Sequence, residues 1–80
     1  MSVFEYAKEQ FNDYYGVKLN ERAKHLFTKF TETYSEDEIL TAIYISCEEY
    51  SDPLDALMKI GGILYNRALR RRLYFKEEDE

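Results

Sequence analysis

The sequence predicts an all-α fold, a small bundle of four main helices, on three observations. Three Gly and one Pro in 80 residues leave few places to turn, while the good helix formers Glu, Lys, Leu, Ala and Arg are frequent. Large apolar residues recur at spacings of three and four, the period of one face of an α-helix. Residue types that start helices, Asn20, Ser35 and Asp52, precede the last three of these repeats.

The first helix is expected over 3–15. Val3, Phe4, Ala7, Phe11 and Tyr14 or Tyr15 form its apolar face, and Gly16 supplies the left-handed stop. The second, over 21–33, starts at the cap Asn20 and repeats Ala23, Leu26, Phe27 and Phe30. Ser35 followed by Glu38 has capping-box spacing, and Glu36 and Asp37 suit the positive end of a helix dipole. The third helix therefore runs over 36–49, carrying Ile39, Leu40, Ala42, Ile43, Ile45 and Cys47. Its isoleucines favour a strand slightly, but a strand would have to begin straight after a capping box.

Asp52 and Pro53 pair a cap residue with a proline at the first helical position, where its missing N–H costs nothing. The fourth helix is expected over 53–74. Its apolar residues cover almost the whole circumference, the pattern of a central helix surrounded by the others. Gly61 and Gly62 in its middle cost about 1 kcal/mol each relative to alanine in a continuous helix. A close approach of a neighbouring helix at that point is the favoured explanation, and a kink the other.

Length and composition bound the rest. Eighty residues make one small domain, expected over 1–75, followed by a disordered acidic tail at 76–80. Five Phe and eight Tyr supply much of the apolar area such a domain needs. A net charge of -5 and a pI of about 4.9 argue against nucleic-acid binding by the whole surface, but not by a local patch. The single Cys47 reads as a small buried hydrophobe in a reducing, cytoplasmic setting. No apolar run approaches the roughly 18 residues of a membrane span, and the N-terminus lacks the pattern of a signal peptide.

Catalytic signatures are missing from the sequence. His25 stands alone, without a second His or a Cys at metal-ligand spacing, and reads as a surface or partly buried histidine. Glu36, Asp37 and Glu38 read as helix-start acids, and Glu48 and Glu49 as a solvated helix end. Gly61 and Gly62 follow no strand and precede no Gly-Lys-Ser/Thr, so they are no phosphate loop. The expectation is a protein that is not an enzyme and needs no cofactor or metal.

One stretch stands apart. From Ala56 to Lys76 there are six Lys or Arg residues (Lys59, Arg67, Arg70, Arg71, Arg72 and Lys76) and no acid. One reading is structural: Arg70, Arg71 and Arg72 complement the helix dipole and pair with the acids at 77–80. The other is functional: Lys59, Arg67, Arg70, Arg71 and Arg72, with Tyr65 and Tyr74 interleaved, track the backbone of a single-stranded nucleic acid and stack on its bases. The acidic tail would then be an intramolecular competitor.

The order of motifs resembles a known family. Phe11, Tyr15, Gly16 and Leu19 are followed by Leu26, Phe27 and Phe30, by Tyr34, Ser35, Glu38, Ile39, Ala42 and Ile43, and by Ile60, Ile63 and Leu64. This is similar to the C-terminal domain of the DnaD and DnaB primosomal replication proteins of low-GC Gram-positive bacteria and their phages, over about residues 4–67. The resemblance implies a helical domain that acts in replication initiation, contacting single-stranded DNA and helicase-loading proteins through its last helix and tail. It also implies a Tyr, an Ile and a Trp spaced by four on that helix. Here those positions hold Lys59, Ile63 and Arg67. With both aromatics replaced by cations, stacking there gives way to phosphate contact. The winged-helix oligomerisation domain usual in that family has no counterpart in these residues, which suggests a dissected domain or a stand-alone phage product.

The functional expectation is a noncatalytic replication module that weakly binds single-stranded DNA, a helicase-loading partner, or both. The alternative is a phage-type adaptor or inhibitor of a host replication or transcription protein, docking through Glu48, Glu49 and Tyr50 without binding DNA. A homo-oligomer formed at Gly61 and Gly62 is a third possibility.

Overall fold

The structure is a computed structural model that describes residues 2–74. Four helices follow one another, α1 (Val3–Tyr15), α2 (Glu21–Thr33), α3 (Glu36–Glu49) and α4 (Pro53–Tyr74), and no strand occurs among the described residues. The fold class and all four helix spans are as the sequence predicts. The expected tail at 76–80 lies outside the described residues.

Side chains close the free backbone donors at each helix start. The Ser2 hydroxyl accepts from the Glu5 N–H, and the Asn20 side chain accepts from Arg22 and Ala23. Ser35 and Glu38 form a complete capping box. The Asp52 carboxylate accepts from Leu54 and Asp55 at 3.0 and 3.1 Å, with Pro53 as the first helical residue. Gly16 ends α1 at a φ of 68°, and it is the only described residue in the left-handed region.

The centre of the bundle is α3. It packs against all three other helices and buries Ile39, Ala42, Ile43, Ser46 and Cys47. Phe11 of α1, Phe27 of α2 and Ile60 and Leu64 of α4 close over it, and each of these large side chains contributes about 1.5–3 kcal/mol by leaving water. Rings continue the core outward: Phe27 meets Phe4 at 6.3 Å and Phe30 edge-on at 5.8 Å between centroids.

The expectation that α4 is the central helix is therefore corrected. It buries one stripe, Ala56, Ile60 and Leu64, mainly against α3, and exposes Leu54, Met58, Tyr65, Leu69 and Leu73. Apolar residues around a whole helix do not distinguish a face packed in its own domain from one left uncovered.

The glycines are corrected as well. α4 runs unbroken through Gly61 and Gly62, so the helix does not break there. A Cβ added at Gly61 would lie 3.6 Å from the Phe30 ring, an ordinary contact, and one at Gly62 would meet nothing within 4 Å. Neither glycine is required by a neighbouring helix of the same chain.

Two polar contacts with no sequence signal fix the C-terminal end of α3 in this arrangement. The Ser46 hydroxyl, fully buried, donates to the Ala56 carbonyl in the first turn of α4, where two small residues let the helices meet. The Tyr15 hydroxyl donates to the Tyr50 carbonyl at 2.6 Å and to the Cys47 carbonyl at 3.3 Å, tying the end of α1 to the end of α3.

Candidate nucleic-acid interface

The last buried residue of α4 is Leu64, and the helix continues to Tyr74. Beyond Leu64 the helix runs about 15 Å further to Tyr74, and Ala68 is the one described residue of that stretch still half-buried. The molecule is 44 Å long and 22 and 18 Å across.

The inward stripe changes character past Leu64. Ala56, Ile60 and Leu64 are followed along the same side, at helical spacings of three and four, by Arg67 and Arg71. Beyond that point this side carries guanidinium groups in place of methyls. Lys59, Arg70 and Tyr74 flank it, since each residue advances by about 100° around the helix. All of these side chains are exposed.

Arg72 and Tyr65 stand on the opposite side, beside Leu69. The seven predicted contact residues thus fall into two groups: Lys59, Arg67, Arg70, Arg71 and Tyr74 share one side, while Tyr65 and Arg72 share the other. Of the three family-motif positions, Lys59 and Arg67 are exposed, and Ile63 is half-buried against the core. The fully buried residues beside it are Ile60 and Leu64.

Between this part of α4 and the start of α3 lies an open cleft of about 400 Å³, lined by Glu38, Arg67, Arg70, Arg71 and Tyr74. A second, of about 390 Å³, lies on the other side of Arg71 and includes Tyr34, Tyr65, Leu69 and Arg72. Glu38 borders both.

Glu38 has two duties. Its carboxylate accepts from the Ser35 backbone N–H at 2.9 Å, and it faces Arg71 at 3.8 Å. The Ser35 N–H, with help from the Ser35 hydroxyl and the charges of Arg71 and Arg67, holds its carboxyl below the ordinary value, against an opposing effect of burial. Arg71 is 67% exposed, so this pair contributes no more than about 1 kcal/mol. Among the described residues it is the only ion pair made by the basic end of α4. The acids at 77–80, expected to pair with these arginines, lie outside the described residues.

The cleft can attract an anion of extended shape. It offers several guanidinium groups, which bind phosphate through paired N–H donors, and a tyrosine ring at its outer end. It contains no nucleophile and base in contact. Among the described residues, no three His, Cys, Asp or Glu side chains are grouped to hold a metal ion. His25 is exposed on α2, and Cys47 is buried, with burial pushing its thiol pKa up.

Comparison with protein-family models, with curated proteins and with solved structures returns no match.

Two residues of the acidic and aromatic group at the end of α3 make internal contacts, and Glu49 is exposed. Glu48 accepts from the Tyr14 hydroxyl, and Tyr50 is half-buried against the core while its carbonyl accepts from Tyr15. Of the described helices, none is long and apolar enough to cross a membrane.

Proposed function

We propose that this chain is a noncatalytic accessory module of DNA replication, of the primosomal type, that binds single-stranded DNA weakly through the basic side of α4. The observation that carries the reading is the switch of the inward stripe from Ile60 and Leu64 to Arg67 and Arg71. Lys59, Arg67, Arg70 and Arg71 contact phosphates, and Tyr74 offers a ring for one base. Arg72 and Tyr65 lie round the helix from this track and contribute less. The motif resemblance to the DnaD and DnaB C-terminal domains supports the replication setting, a cytoplasmic location and a helicase-loading protein as partner. The test is titration of a fluorescent single-stranded oligonucleotide at two salt concentrations. Binding at low salt that is lost in Arg67→Glu/Arg70→Glu supports the reading, and its absence at low salt refutes it.

A second reading, a phage-type adaptor or inhibitor of a host replication or transcription protein, is favoured by the exposure of Tyr14, Tyr44, Tyr65 and Tyr74, since tyrosine suits protein interfaces. It predicts capture of such a protein from lysate by a chain that binds no oligonucleotide.

A further inference from the structure

We propose that two copies of this chain pair through the outer side of α4, antiparallel and about a two-fold axis, along the stripe Leu54, Met58, Gly62, Tyr65, Leu69 and Leu73. This goes beyond the nucleic-acid reading and needs no DNA.

The stripe is uncovered. Leu54, Met58, Tyr65 and Leu73 are each more than 60% exposed and Leu69 is 40% exposed, on the side of α4 opposite its buried stripe, where Tyr65 and Leu69 border the cleft shared with Tyr34. Isolated exposed apolar residues are ordinary, but five aligned over about 28 Å of one helix mark a contact surface.

Its spacing identifies the occupant. The intervals from Leu54 to Leu73 are four, four, three, four and four, which read the same from either end. An antiparallel second copy, turned about the point between Ile63 and Leu64, therefore presents Leu73 to Leu54, Leu69 to Met58 and Tyr65 to Gly62. Each contact is made twice, as a two-fold interface requires. A partner of unrelated sequence gives no reason for that symmetry.

Gly62 gains a role in this arrangement. Within its own chain nothing lies within 4 Å of where its Cβ would be, although glycine weakens a helix interior. Opposite the Tyr65 ring of the second copy, the missing side chain leaves the space the ring occupies. Charge agrees with the orientation. Asp52 and Asp55 lie at the start of α4 and Arg70, Arg71 and Arg72 at its end, and the same register sets Asp55 against Arg72. A parallel pair would place arginines against arginines.

A single pair of helices is smaller than the standard stable interface, so the dimer is expected to dissociate at about micromolar concentration. Sedimentation equilibrium of the whole chain over a range of concentrations tests this. The mass is expected to rise from 9.6 kDa toward twice that value, and Leu69→Glu is expected to stay at the monomer mass with an unchanged helical circular-dichroism spectrum. Asp55→Arg alone and Arg72→Asp alone are each expected to weaken pairing about tenfold, and the two together to restore it. A mass of 9.6 kDa at millimolar chain concentration overturns the proposal. So does a double variant that pairs no better than either single one, because only this register joins those two positions.

Discussion

Replacing Gly62 with alanine stabilises the monomer if α4 is built as described. A mid-helix glycine costs about 1 kcal/mol relative to alanine, because it loses more backbone freedom on folding. That gain survives only if the new methyl meets no obstacle, and at Gly62 nothing lies within 4 Å of the Cβ position. Gly62→Ala should therefore raise unfolding stability by about 1 kcal/mol, which in a domain of this size is about 4–8 °C in Tm. At Gly61 the methyl would touch the Phe30 ring at 3.6 Å, so Gly61→Ala should gain at least as much. Gly61→Val carries two further methyls toward the same ring and should lose the advantage. Urea unfolding followed by circular dichroism, at concentrations low enough to keep the chain monomeric, measures all three. A loss of stability in Gly62→Ala would refute the reasoning, because it would mean that α4 is not a regular helix at this point or that another part of the same chain occupies the space.

Tyr15 and Glu38 each contribute to the pH dependence of stability. Burial, first, with the neighbouring Cys47, pushes the Tyr15 phenol up to about 12, so folding favours its neutral form. The stability it contributes is fully present below the ordinary tyrosine value of 10.0 and is lost as pH rises through about 12. Tyr15→Phe should cost about 1 kcal/mol at neutral pH, through the lost bonds to the Tyr50 and Cys47 carbonyls, and should flatten the alkaline fall seen by denaturant titration at several pH values. Glu38 is shifted the other way. Its contribution is present above the ordinary value of 4.5 and is lost as pH falls through its lowered folded value. Glu38→Gln keeps an acceptor for the Ser35 N–H, removes part of the acid sensitivity and releases Arg71, so it should tighten oligonucleotide binding by a few-fold. Unchanged or weaker binding would show that Arg71 does not take part.

The helix boundaries were legible in the sequence because each rests on local chemistry. Asn20, Ser35 with Glu38, Asp52 with Pro53, and Gly16 act within one turn of where they stand. Which helix lies at the centre was not legible. α4 is apolar on two sides, one facing α3 and one facing outward, and composition does not say what covers the second side. Ser46 shows the reverse case: a polar residue in the middle of the core, acceptable because its hydroxyl donates a hydrogen bond to the Ala56 carbonyl. The exposed arginines were readable from their density, but Arg71 meeting Glu38 depends on how α4 crosses α3 and has no local signal. The side of α4 each cation occupies follows from helical spacing once the buried stripe is known, and this divides Arg72 and Tyr65 from the rest.

Oligonucleotide titration at two salt concentrations tests whether the basic side of α4 binds single-stranded DNA through phosphate contacts. Four contacts, from Lys59, Arg67, Arg70 and Arg71, correspond to a salt slope of about -2.8, and so to an affinity loss of about 50-fold between about 50 and 200 mM salt. That loss is expected, together with a loss of binding at low salt in Arg67→Glu/Arg70→Glu. No binding at low salt, or binding that the double reversal leaves unchanged, would contradict it.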